Sequence, residues 1–159
     1  MKIGIASDHR GYELKKEIIN SLKDEYEFID YGTDSNQSVD YPDYAFKLGD
    51  AINNKKVEFG VAICGSGIGI SIACNKVDGI YCAKVSNEDE AFYTRNDNNT
   101  NVVAFSSKTE ISTAIKIVKK FVETPFSNDE RHIRRINKIK NYEENRWKVN
   151  FLSILYPLS

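Results

Sequence analysis

Short apolar runs rich in β-branched and aromatic residues recur along this chain, and what lies between them changes period. The runs are KIGIAS (2–7), EFIDYG (27–32), FGVAIC (59–64), IYCAKV (80–85) and NVVAFS (101–106). The intervening segments carry helical spacing. Leu14, Ile18 and Leu22 fall at i, i+4 and i+8, with lysines and acids opposite. Ala45, Leu48, Ala51 and Ile52 share one stripe, and Ile111, Ile115, Val118 and Val122 share another. Pro125 then acts as a stop signal. Strands that alternate with helices predict a parallel sheet covered on both faces. The expected fold is a three-layer α/β/α domain around a mostly parallel five-stranded sheet.

A chain of 159 residues without internal repeats or a low-complexity linker reads as one domain over residues 1–159. From about residue 129 the character changes. NDERHIRRINKIKNYEENRWK is strongly charged, with Ile133, Ile136 and Ile139 at helical spacing. It reads as an amphipathic helix that packs on the body or on a partner subunit. The final FLSILYPLS (151–159) is apolar and has no evident role.

The formal net charge of -1 argues against nucleic acid or an anionic membrane as a general partner. No apolar run approaches the ~20 residues that span a bilayer. The amino terminus, MKIGIASDHRG, lacks the apolar core of a secretory signal. Cys64, Cys74 and Cys82 are odd in number and show no metal-site spacing. They suit a reducing cytoplasm, and with His9 and His132 the only histidines no metal is expected.

In a sheet of this kind ligands gather at the carboxyl ends of the strands. Ser7, Asp8, His9 and Arg10 follow the first strand, and ICGSGIGISIACNK (63–76) ends the third. A third polar cluster, TRNDNNTN (94–101), precedes the fifth strand and lies nearer its start. Gly65, Gly67 and Gly69 alternate directly after Cys64 and would open the next helix. Backbone N–H groups at such an end bind anions, and the positive end of the helix favours a thiolate beside it. A thiolate next to an oxyanion pocket can remove a carbon-bound proton and hold the enediolate that results. Ser66 adds a hydroxyl that can pass a proton between two oxygens.

Each signal also has a plainer account. The loop serves equally as a structural glycine turn with a buried cysteine. Asp8 suits the N-cap of a helix from Arg10, and His9 suits a solvated loop. Arg131, Arg134 and Arg135 suit an ordinary charged face, although arginine is also the residue of choice for gripping phosphate.

Taken together, SDHRGYELK (7–15), DYGT (30–33), DYPDYA (40–45), ICGSGIGISIACNK (63–76), NNTNVVAF (98–105) and ERHIRR (130–135) resemble the ribose-5-phosphate isomerase B family, which also holds the galactose-6-phosphate isomerase subunits. The resemblance runs from residue 1 to about 140. It implies a Rossmann-like domain in homodimers or dimers of dimers, with active sites built across the dimer interface. It implies aldose–ketose isomerisation of a sugar phosphate through a cis-enediol, without cofactor or metal. Carried over by position, Cys64 is the proton-abstracting base, and Gly65, Ser66, Gly67, Ile68 and Gly69 form the anion hole. Asp8, His9 and Asn98 contact the sugar, and Arg131 and Arg135 hold its phosphate.

Two positions depart from the family pattern. Asp97 stands where the family usually has the histidine assigned to opening the furanose ring. Lys108 stands where it usually has a phosphate-side arginine. An ordinary aspartic acid is ionised at neutral pH and a poor acid there, and lysine lacks arginine's bidentate fork. The expected substrate pair is ribose 5-phosphate and ribulose 5-phosphate. A six-carbon sugar phosphate is the alternative, since the galactose-6-phosphate isomerase B-type subunit also lacks that histidine. A noncatalytic phosphate-binding protein on the same fold is a further one.

Overall fold

The computed structural model describes residues 1–155, and side chains through residue 146. Residues 151–155 continue the last helix, while 156–159 and the side chains of the apolar tail lie outside the described residues. The elements run β1 (Lys2–Ser7), α1 (Tyr12–Leu22), β2 (Glu27–Asp30), α2 (Tyr41–Asn53), β3 (Phe59–Cys64), α3 (Ile68–Cys74), β4 (Cys82–Lys84), α4 (Glu88–Asn98), β5 (Val102–Ser106), α5 (Ile111–Glu123) and α6 (Glu130–Leu155). Residues 1–126 form one compact unit, and α6 belongs to a second that starts at Ser127.

The sheet has the order β2-β1-β3-β5-β4, and every pairing in it is parallel. All carboxyl ends therefore lie along one edge. The two faces differ in side-chain size. Ile3, Ile5, Val61, Ile63, Val103 and Phe105 pack with Ile18, Leu22, Ile117 and Phe121 in one core. On the other face Ala6, Ala62 and Ala104 stand in register across the three central strands. These small residues admit α2 and α3, whose Leu48, Ile70 and Cys74 complete the second core. The alternation of large and small residues along β3 is the period-2 pattern that a strand imposes.

The central strands β1 and β3 coincide with their apolar runs, whereas the edge strands β2 and β4 pair over shorter stretches than EFIDYG and IYCAKV suggest. The segment 88–98 is a helix that the periodicity does not announce, since Phe92 and Tyr93 stay exposed and form no buried stripe. Its start is marked by chemistry instead. The Asn87 side chain accepts from the Glu90 N–H, and Glu88, Asp89 and Glu90 fill the first turn.

Candidate active site

The turn from β3 into α3 is built around Gly67. Its φ of +76° is left-handed, and a Cβ there would fall 2.6 Å from the Phe105 carbonyl carbon. Only glycine fits. This turn aims the Gly67 N–H at Cys64 Sγ, 3.2 Å away. Cys64 itself is buried at the end of β3, on the face of the small residues. The Ile68 N–H goes to Ser66 Oγ at 3.2 Å. The N–H groups of Gly65, Ser66 and Gly69 take no acceptor among the described residues, so they remain available to an anion. Of the amides expected to form the anion hole, that of Gly67 is directed to the sulfur and that of Ile68 to Ser66 Oγ.

Two further glycines are close approaches. A Cβ on Gly65 would meet Arg10 Cδ at 2.8 Å, and one on Gly69 would meet the Tyr41 ring at 2.7 Å. Arg10 and Tyr41 thus lie over the turn.

The loop after β1 reaches the same edge, where the Asp8 N–H donates to Ile63 O. Asp8 is buried, and its carboxylate accepts from the N–H groups of Arg10 at 2.9 Å and Gly11 at 3.1 Å. It is a turn former rather than the N-cap, because α1 begins at Tyr12 with Gly11 as its cap. His9 is half-buried, with Nδ1 3.2 Å from Val39 N and 3.3 Å from Val39 O. Beneath this loop Lys15 is fully buried, and its Nζ donates to Asp30 Oδ1 and Thr33 O, each at 2.5 Å. Gly32 and Thr33 in turn bond the Ser7 main chain. The lysine therefore ties the end of β2 to the residue before Asp8.

Ser106 has no place in the expected site, yet it joins two parts of it. It stands opposite Cys64 in the ladder, and its Oγ donates to Gly65 O at 2.8 Å while accepting the Lys108 N–H at 3.1 Å. A hydroxyl that closes an otherwise apolar strand was the available sequence signal. Lys108 is exposed and lines a cleft of about 280 Å³ with Lys84, Ser86 and Thr113.

The other expected residues lie elsewhere. Asp97 and Asn98 close α4, which returns from the carboxyl edge to the amino ends of the strands. Asn101, three residues on, bonds Gly60 N and Gly79 O at that amino edge. Within one chain Asp97 and Asn98 therefore sit at the opposite edge from Cys64. Arg131 and Arg135 are exposed on α6 in the second unit, where Arg131 pairs with Asp129 at 3.3 Å. Cys74 is buried and Cys82 half-buried, and the Cys82 thiol is pushed well up by its hydrogen bond with Cys74 and by burial. Among the described residues no group of three or more His, Cys, Asp or Glu is placed to hold a metal, and no helix is long and apolar enough to cross a membrane.

Comparison with known proteins decides the family. Residues 3–139 match the family described as Ribose/Galactose Isomerase. The chain belongs to that isomerase family. Ribose-5-phosphate isomerase B of Escherichia coli is 38% identical over 147 residues, covering 91% of this chain and 98% of that one. The fold of this ribose/galactose isomerase family member is also that of solved relatives. Ribose-5-phosphate isomerase B of Clostridium thermocellum superposes with a TM-score of 0.88 at 42% identity, over 92% of this chain and 99% of that one. The enzyme of the same name from Mycoplasma genitalium, solved with bound ribulose-5-phosphate, gives a TM-score of 0.83 at 41% identity, over 90% and 96%.

Proposed function

We propose that this protein is an aldose–ketose isomerase that interconverts ribose 5-phosphate and ribulose 5-phosphate without metal or cofactor. The observation that carries the reading is the Cys64 turn, where a thiol held by the Gly67 amide lies beside N–H groups left open to an anion. Cys64 removes the proton from the carbon next to the carbonyl. The Gly65, Ser66 and Gly69 amides receive the charge that develops on oxygen, which is the usual use of preorganised donors. Ser66 Oγ moves a proton between the two oxygens of the cis-enediol, and Cys64 returns its proton to the neighbouring carbon. Asp8 shapes the loop that lines the sugar, with His9 facing it.

The complete site takes a second copy of the chain, in a homodimer or a dimer of dimers. Asp97 and Asn98 lie at the wrong edge to meet the Cys64 of their own chain. On α3, Ile68 and Ile72 leave more than half of their surface exposed directly beside the turn, which favours burial by another subunit. From that copy Asn98 contacts the sugar, and Asp97 supplies an acceptor where histidine would supply a donor. Lys108, Arg131 and Arg135 hold the phosphate, the cations suited to that group. Free thiols suit a cytoplasmic home.

The test offers the purified chain ribose 5-phosphate, allose 6-phosphate and galactose 6-phosphate separately, and measures ketose formation. Ketose from ribose 5-phosphate is expected, with weaker sugar-phosphate binding in Arg131→Ala and Arg135→Ala. Ketose from a six-carbon substrate alone would move the assignment to the reading that Asp97 favours. Binding without turnover of any of the three would leave a phosphate-binding protein instead.

A further inference from the structure

Cyclic sugar phosphates must open before their second carbon can lose a proton, and opening requires a group that hands a proton to the ring oxygen. Position 97, where the family usually has a histidine for that step, carries aspartate. The loop after β1 holds a histidine of its own. His9 Nδ1 lies almost equidistant from two main-chain atoms of Val39, 3.2 Å from the N–H nitrogen and 3.3 Å from the carbonyl oxygen. These partners have opposite character. With Nδ1 bare, the ring accepts from Val39 N–H; with Nδ1 protonated, it donates to Val39 O. The imidazole can therefore change its protonation without losing its anchor or swinging away. While Nδ1 keeps its proton and donates to Val39 O, Nε2 carries a proton in the imidazolium and lacks it in the neutral ring, which is the requirement for a general acid at neutral pH.

The position fits the role. His9 follows Asp8, whose N–H donates to Ile63 O next to Cys64, and precedes Arg10, whose Cδ lies over Gly65. The anchor is local as well, because Val39 directly precedes Asp40, the N-cap of α2, whose first residue Tyr41 covers Gly69.

We infer that His9 is the ring-opening acid of this enzyme, and that the protein accordingly interconverts the two anomers of ribose 5-phosphate even when it cannot isomerise it. The bond from the anomeric carbon to the ring oxygen breaks, and its electron pair takes the proton from His9 Nε2. The anomeric hydroxyl becomes the aldehyde and passes its proton to solvent water, from which the imidazole is protonated again. Reclosure on the other face of the aldehyde gives the other anomer. Atoms and charge balance without any co-reactant.

The inference rests on the sugar-phosphate reading above, and its test separates the two. Wild-type turnover of ribulose 5-phosphate, the open-chain ketose, is measured first; its absence would strike at the isomerase reading itself. Anomer exchange of ribose 5-phosphate labelled at carbon 1 is then followed by NMR exchange spectroscopy in Cys64→Ala, where isomerisation is blocked. Exchange should run well above the protein-free rate in Cys64→Ala, and fall about ten-fold or more in Cys64→Ala/His9→Asn and Cys64→Ala/His9→Gln. The two replacements guard against a folding defect in either, with circular dichroism as the check. Exchange at the protein-free rate in Cys64→Ala, or equal exchange with and without His9, would overturn the assignment.

Discussion

The two edges of the sheet are built from similar residue types and put to opposite use. At the amino edge polar groups are spent on each other. The buried Arg95 guanidinium donates to Thr124 O at 3.3 Å, Asn99 Oδ1 at 2.9 Å and Thr100 O at 2.6 Å, with its plane near the Phe59 and Phe121 rings. Lys119 pairs with Glu25 at 2.5 Å, and the Tyr26 hydroxyl donates to Glu123. At the carboxyl edge donors are left open, a thiol is buried, and glycines keep side chains away from the chain. Satisfied groups stabilise a fold, and unsatisfied ones wait for a ligand. The difference separates an edge whose buried polar groups are satisfied within the chain from one that leaves donors open.

The largest effect should come from the carboxyl edge. Cys64→Ala is expected to lower turnover by about 10²–10⁴-fold, the usual worth of a general base, while its unfolding temperature stays near that of the parent chain. Turnover close to normal would hand the base to another group, Asp8 first among them. A second experiment brings the two edges together. Cys64→Ala and Asn98→Ala are each expected to be feeble alone; unfolded together and refolded, they should form hybrid dimers. With random assortment half the dimers are hybrids, each with one intact site of two, so the mixture should recover about a quarter of the wild-type rate. A mixture no more active than its components would place both residues in one chain's site.

The amino edge should answer in stability instead. Arg95→Met leaves buried acceptors without a donor, and a loss of roughly 2–4 kcal/mol is expected by urea unfolding. A change below about 0.5 kcal/mol would mean that water replaces the guanidinium and that the contrast between the edges is weaker than drawn. The smallest effect concerns Tyr26, whose phenol is pushed well up by burial and by the hydrogen bond to Glu123. Because the folded value is raised, the pairing contributes fully below the unfolded phenol's value of about 10 and is lost only as the pH rises through the folded one. Tyr26→Phe should therefore cost a solvent-discounted 0.5–1 kcal/mol or so at pH 7, and the gap to wild type should close in alkali rather than in acid. A gap that closes on acidification would show the phenol playing no such part.

How much of this was legible in the chain depends on what each feature rests on. β1 and β3 could be placed because an apolar run ends at a residue that cannot prolong it, Asp8 in one case and Gly65 in the other. The edge strands were less legible, since Ile80 and Val85 are buried but lie outside the β4 ladder, Val85 adding one bond to Ala104 O beyond it. α4 was missed because helical period reports a buried stripe, and this helix has little of one; its cap at Asn87 was the better guide. The place of Asp97 and Asn98 at the amino edge was still legible, because their cluster directly precedes β5. At the site, residue types pointed to Cys64 and its glycines, but which amide serves the sulfur depends on a left-handed turn at Gly67. His9 and Val39 are thirty residues apart, and only the folded chain brings two main-chain atoms to one ring nitrogen.

The Ser106 hydroxyl has a consequence for what the enzyme can measure. It binds the Gly65 carbonyl and the Lys108 amide at once, so the segment that would meet a sugar's carbonyl end and the segment that would meet its phosphate are joined by a single two-bond link. Such a link behaves as a gauge of fixed span. If the two segments meet opposite ends of the substrate as proposed, holding their separation fixed would favour one length of sugar phosphate over another.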